Sequence, residues 1–126
     1  MQIKTTHYFE RVARCEARDC TVRALAAVKD IQYDQAHAAL AAAGREVRRG
    51  MSLEQLKPAY LAAGGGAYVK RSDRPTLAAF MREHSAGRYI VLVVGHVFAV
   101  VDGVQIDMEK NGARKRVWGF WQFNGE

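Results

Sequence analysis

Three side chains in this sequence have the types and the chain order that acyl-transfer chemistry needs: Cys20, His96 and Asp107. A cysteine attacks as its thiolate, and the first turn of a helix stabilises that anion through its dipole and free N–H groups. Cys20 stands at such a place. Asp19-Cys20-Thr21 opens a segment in which Val22, Leu25 and Ala26 fall at helical spacing, with Asp19 as N-cap. The base must come from a rigid element facing that helix end, and His96 heads the apolar run His96-Val-Phe-Ala-Val-Val101, which reads as a buried strand. The imidazole then needs a group to orient it. Asp102-Gly103 is a two-residue hairpin signal that brings the next strand, Val104-Gln-Ile-Asp107, back alongside the His96 strand. Asp107 becomes a neighbour of His96 in the right register, whereas a one-residue slip turns its carboxylate away. Asp102 competes for the same role, although its simplest use is as the first residue of a type I′ turn.

The elements that must hold these groups can be read along the chain. The Cys20 helix breaks at Lys29-Asp30 and Ile31-Gln32. A second helix starts at Asp34, just after Tyr33, and ends at Ala43, with Gly44 supplying the left-handed residue. Ser52 and Gln55 form a capping-box pattern for a third helix to Ala62, which Pro58 should bend or shorten. After Gly64-Gly65-Gly66 come a short strand, Ala67 to Lys70, and a fourth helix, Thr76 to His84, with Pro75 in its first turn and Leu77, Phe80 and Met81 on its buried side. Arg88 to Val94 is β-branched and almost continuously apolar, the pattern of a strand buried on both faces. Asn111-Gly112 marks another turn, and Arg114 to Phe123 holds a last strand or two, with Trp118, Phe120 and Trp121 as core. Helices first and an antiparallel sheet afterwards make the class α+β. The triple glycine lacks the Lys-Ser/Thr of a phosphate loop.

Asp19-Cys-Thr-Val-Arg-Ala-Leu-Ala26, followed much later by Gly95-His-Val-Phe-Ala-Val-Val101 and Asp107, resembles the bacteriocin-processing type of papain-like cysteine peptidase. It is also similar to small phage-borne domains that carry an Asp-Cys-x-Val-Arg-Ala segment. The resemblance covers roughly residues 14–28 and 88–108. It implies a papain-like fold, N-terminal helices packed on a C-terminal antiparallel sheet, and a Cys20–His96–Asp107 triad that cleaves a peptide or isopeptide bond. Two positions depart from the family. Where its members carry an oxyanion-binding Gln, this chain has Arg14-Cys15-Glu16-Ala17-Arg18, and Met108 follows Asp107 where Pro is usual. Losing one oxyanion donor typically costs on the order of 10²–10³ in rate. The Cys20 N–H is the candidate for one donor, and Arg14 or Arg18 for the replacement of the other.

Length bounds the rest. A chain of 126 residues suits one domain, residues 1–126. With 49% hydrophobic and 25% charged residues it is too apolar for a disordered chain. The longest apolar run is too short for a membrane span, and the N-terminal stretch has neither an apolar core nor a cleavage site for secretion, so a cytoplasmic setting is expected. Cys15 and Cys20 have no companion pair at zinc-ligand spacing, so neither metal nor cofactor is expected, and Cys15 reads as structural. His7, His37 and His84 read as surface or helix-face residues. The net charge of +6, with Arg114-Lys115-Arg116 as the compact basic run, favours an acidic partner. The expected partner is a protein or peptide substrate. The alternative is a papain-like scaffold without catalysis, whose basic face docks on a host protein or on nucleic acid.

Overall fold

The apolar stretch after Arg88 becomes the centre of one mixed sheet with helices on both sides. The structure, a computed structural model, describes residues 3–4, 19–106 and 112–123. In chain order these form β1 (Ile3–Lys4), α1 (Cys20–Lys29), α2 (Tyr33–Ala42), α3 (Leu53–Ala62), β2 (Val69–Lys70), α4 (Leu77–Glu83), β3 (Arg88–Val93), β4 (His96–Val101), β5 (Val104–Ile106), a 3₁₀ turn (Gly112–Arg114) and β6 (Gly119–Phe123). The strand order is β1-β5-β4-β3-β6-β2. All neighbours are antiparallel except β1, which runs parallel to β5. The class is therefore α+β, as the helix-then-strand pattern predicts.

Alternation along β3 and β4 divides the core in two. Ile90, Val97, Ala99 and Trp121 face α1, α2 and α3, where they meet Leu25, Leu40 and Tyr60. Val91, Phe98, Val100 and Phe120 face α4, where they meet Leu77 and Phe80. A strand covered on both sides has no polar face, which is why β3 reads as a continuous apolar run. Each large side chain sealed in this way contributes about 1.5–3 kcal/mol. Cations also tie β3 to α1 and α1 to the end of α3. Arg88 donates to the Val28 carbonyl at the C-terminal end of α1 (3.0 Å), and Lys29 Nζ donates to the Ala63 carbonyl after α3 (2.6 Å). Both charges sit at helix C-termini, where the dipole favours them.

Local signals mostly hold, with instructive exceptions. Gly44 has φ 107°, and Asp102 and Gly103 have φ 49° and 77° in the β4–β5 turn. Gln55 N–H donates to Ser52 Oγ (3.3 Å) and Ser52 N–H to Gln55 Oε1 (3.0 Å), completing the capping box. Pro58 lies inside α3 without ending it. β3 stops one residue early because Val94 and Gly95 form a tight turn, with Gly95 at φ 68°. α2 begins at Tyr33 rather than Asp34, since Gln35 Oε1 accepts from Gln32 N–H (3.0 Å) and moves the cap back. His37 is a buried helix-face residue, 5.9 Å from the Tyr33 ring, and His84 packs on Phe80 at the end of α4. His7 and Cys15 lie outside the described residues.

One expectation fails in the core. Trp121 and Phe120 are buried, but Trp118 is 38% exposed. It precedes β6, beyond the cover of α4, and the guanidinium of Arg74 lies over its ring instead (4.4 Å).

Candidate functional site

Cys20 is the first residue of α1, a free thiol at partial burial, and several long-range bonds fix the turn that carries it. The expected cap geometry at Asp19 is not formed. Its side chain makes no bond to the first-turn N–H groups, while its backbone carbonyl accepts from Val22 and Arg23 N–H (both 3.0 Å). The carboxylate instead turns inward, fully buried, to accept from the Tyr33 hydroxyl (2.8 Å) with Arg23 Nε 3.3 Å away. Tyr60, also fully buried, donates to the Thr21 carbonyl (2.9 Å). Burial holds the Tyr60 phenol well above the ordinary tyrosine range; Cys20 nearby pushes the same way and Arg45 opposes it. The first turn of α1 is thus held from α2 by Tyr33 and from α3 by Tyr60.

Cys20 and His96 line one cleft of about 430 Å³. Leu53, Leu56, Leu92 and Val97 give it an apolar wall, and Arg23 contributes a charge. His96 comes from the start of β4, where Gly95 in the preceding turn also borders the cleft. By strand alternation His96 shares its face with Phe98 and Val100, and its ring stacks on Phe98 (5.7 Å, 19° between planes). Among the described residues no hydrogen bond joins Cys20 to His96.

The third position is divided. Asp107 lies outside the described residues, as do Arg14 and Arg18. Asp102 belongs to the turn at the far end of β4 from His96, where its Oδ1 accepts from Gly87 N–H (2.8 Å). Six strand residues at about 3.3 Å each keep it away from the imidazole, so its role is in the turn. None of the three C-terminal aromatics, Trp118, Phe120 or Trp121, lines the cleft.

Arginines crowd one margin. A second hollow, of about 550 Å³, is bounded by Val47, Arg48, Arg49 and Gly50 and shares Gly50 with the cleft. Arg48 holds φ 66°, which is uncommon for a side chain of its size. Among the described residues no group of three or more His, Cys, Asp or Glu could hold a metal ion, and no helix is long and apolar enough to cross a membrane.

Cys20 and His96, singled out by residue type and spacing, line one cleft, whereas the sequence gives no direct sign of Tyr33 and Tyr60 as its supports. Tyr33, Ala36, His37 and Leu40 form the buried stripe of α2. A phenol on such a stripe requires a buried acceptor, and Asp19 supplies it. That requirement was visible in the sequence, although the partner was not. In comparisons with protein-family models, curated proteins and solved structures, the chain matches none.

Proposed function

We propose that this protein is a papain-like cysteine hydrolase that cleaves a peptide or isopeptide bond. The carrying observation is that Cys20, at a helix start, and His96, at a strand start, line the same largely apolar cleft. In this reading the Cys20 thiolate attacks the substrate carbonyl after His96 takes its proton. His96 then protonates the leaving amine, and water hydrolyses the thioester with His96 again as base. The Cys20 N–H at the start of α1 is one donor for the oxyanion. For the proton transfer the imidazole must leave its stack on Phe98 and turn toward Cys20, and catalytic hydrogen bonds commonly tighten only when substrate is bound. Asp107 is the proposed orienting group.

The test is the pH dependence of iodoacetamide alkylation at Cys20 in a Cys15→Ser background, with His96→Ala as control. A thiolate reactive well below pH ~8 that disappears in His96→Ala supports the dyad. A thiol titrating near the ordinary ~8.5 in both proteins overturns it. The stacking of His96 on Phe98, with no bond to Cys20, favours as second reading a papain-like scaffold that binds without chemistry. In that case Cys20→Ala leaves function intact.

A further inference from the structure

The basic run at 114–116 is not a loose charged loop. Leu77 N–H donates to the Lys115 carbonyl (2.8 Å), Val117 N–H to the Pro75 carbonyl (2.7 Å) and Arg71 N–H to the Trp118 carbonyl (2.8 Å). Thr76 and Arg116 form a β-bridge, and Arg116 Nη1 donates to the Arg74 carbonyl (3.3 Å). Two segments some 40 residues apart are therefore stitched into one frame. It presents Arg74, Arg114, Lys115 and Arg116, all exposed, beside the exposed Trp118.

Three features set this face apart from an ordinary solvated charge cluster. First, the nearby acids among the described residues are already occupied: Asp73 and Glu83 both bind Arg71 (2.7 and 3.0 Å), leaving the four cations in no ion pair among those residues. Second, the Arg74 guanidinium lies over the Trp118 indole, 4.4 Å from the ring centre, so a cation and an aromatic surface form one platform. Third, Arg74 is held there at φ 43°, in the left-handed region that favours glycine. A merely solvated arginine has no need of that backbone.

We propose that this face binds single-stranded nucleic acid, with phosphates tracking along Arg114–Arg116 and a base stacking on the Arg74–Trp118 platform. An acidic peptide would use the cations and leave the indole idle, whereas a nucleotide uses both. A duplex keeps its bases stacked inside and offers none to the indole. Charge track plus stacking surface is the general solution for sequence-tolerant single-strand binding. No residue of this face lines the Cys20 cleft, so the proposal stands or falls independently of hydrolysis.

The experiment measures the anisotropy of a labelled oligothymidylate of about 16 nucleotides against protein at several NaCl concentrations. Binding is expected to weaken with salt at a log–log slope of about −2, three phosphate contacts at about 0.7 each. Arg114→Glu with Lys115→Glu reduces that slope by at least about 1.4. Trp118→Ala weakens binding about 5- to 150-fold, the contribution of one stacked base, without changing the slope. Trp118→Phe recovers most of the loss, and circular dichroism confirms that each variant is folded. Cys20→Ala binds like the wild type. Absence of binding at about 50 mM NaCl overturns the proposal. So does a Trp118→Ala protein of unchanged affinity, or displacement of the oligonucleotide by a glutamate-rich peptide of equal charge at equal concentration, which would assign the face to an acidic protein.

Discussion

Replacing Tyr33 by Phe removes one oxygen atom and tests how the start of α1 is held. The lost hydroxyl donates 2.8 Å to a carboxylate of a residue with no exposed surface, and Tyr33 itself is 1% exposed. Hydrogen bonds to charged groups contribute about 1.5–3 kcal/mol when buried. Asp19 keeps Arg23 at 3.3 Å after the change, so the lower half of that range applies. For a small protein, urea slopes run at about 1–3 kcal/mol per molar, so a loss of about 2 kcal/mol moves the midpoint down by about 1 M at constant slope. The cycle with Asp19→Asn isolates the pair. A neutral amide still accepts from Tyr33 but gains only about 1 kcal/mol, so Tyr33→Phe must cost less in that background by about 0.5 kcal/mol or more. A Tyr33→Phe protein within about 0.5 kcal/mol of the wild type would refute the reasoning, as would an equal loss in both backgrounds.

Four further outcomes follow from the geometry. Tyr60→Phe loses the bond to the Thr21 carbonyl, about 0.5–1.5 kcal/mol at neutral pH. Because the folded phenol lies above its unfolded value of 10.0, the wild type loses stability as pH rises past that value; the variant should show a shallower alkaline decline in Tm. Gly119→Ala sets a methyl onto the Tyr68 hydroxyl and forces that ring off Trp121, an overpacking cost of about 1–3 kcal/mol, measurable in urea. Asp102→Ala loses about 1–2 kcal/mol through its left-handed φ and its bond from Gly87, while Asp102→Gly restores the backbone part; Cys20 alkylation should stay unchanged in both, as it would not if Asp102 oriented His96. Gln105 is fully buried, and neither side-chain amide atom has a partner among the described residues, so Gln105→Met should raise stability by about 1–2 kcal/mol, read as a higher Tm.

The elements were legible wherever one local interaction decides the conformation. Ser52 with Gln55, Asp102 with Gly103, and the apolar length of β3 each name their own structure within a few residues. What the sequence hid was set at long range. Asp19 looks like a cap because an aspartate before a helix usually is one, yet Tyr33 from the next helix offers its carboxylate a better donor. Trp118 looks like core because it sits with Phe120 and Trp121, yet it falls just outside the strand and beyond the reach of α4. His96 could be placed at a strand start from its neighbours, whereas its stacking on Phe98 depends on which face of the sheet that position takes.

The two tryptophans, three residues apart, end in opposite surroundings. Trp121 is sealed between Tyr60 (4.9 Å) and Tyr68 (4.8 Å), with its indole N–H unpartnered among the described residues, while Trp118 lies near the surface under a guanidinium. They are the chain's only tryptophans, so its intrinsic emission has two separable parts. Trp121 should emit at short wavelength, shielded from acrylamide, and shift to the red only when the core opens. Trp118 should emit further to the red and be quenched on contact with acrylamide. A single sample therefore reports unfolding of the core through one fluorophore and occupancy of the outer face through the other.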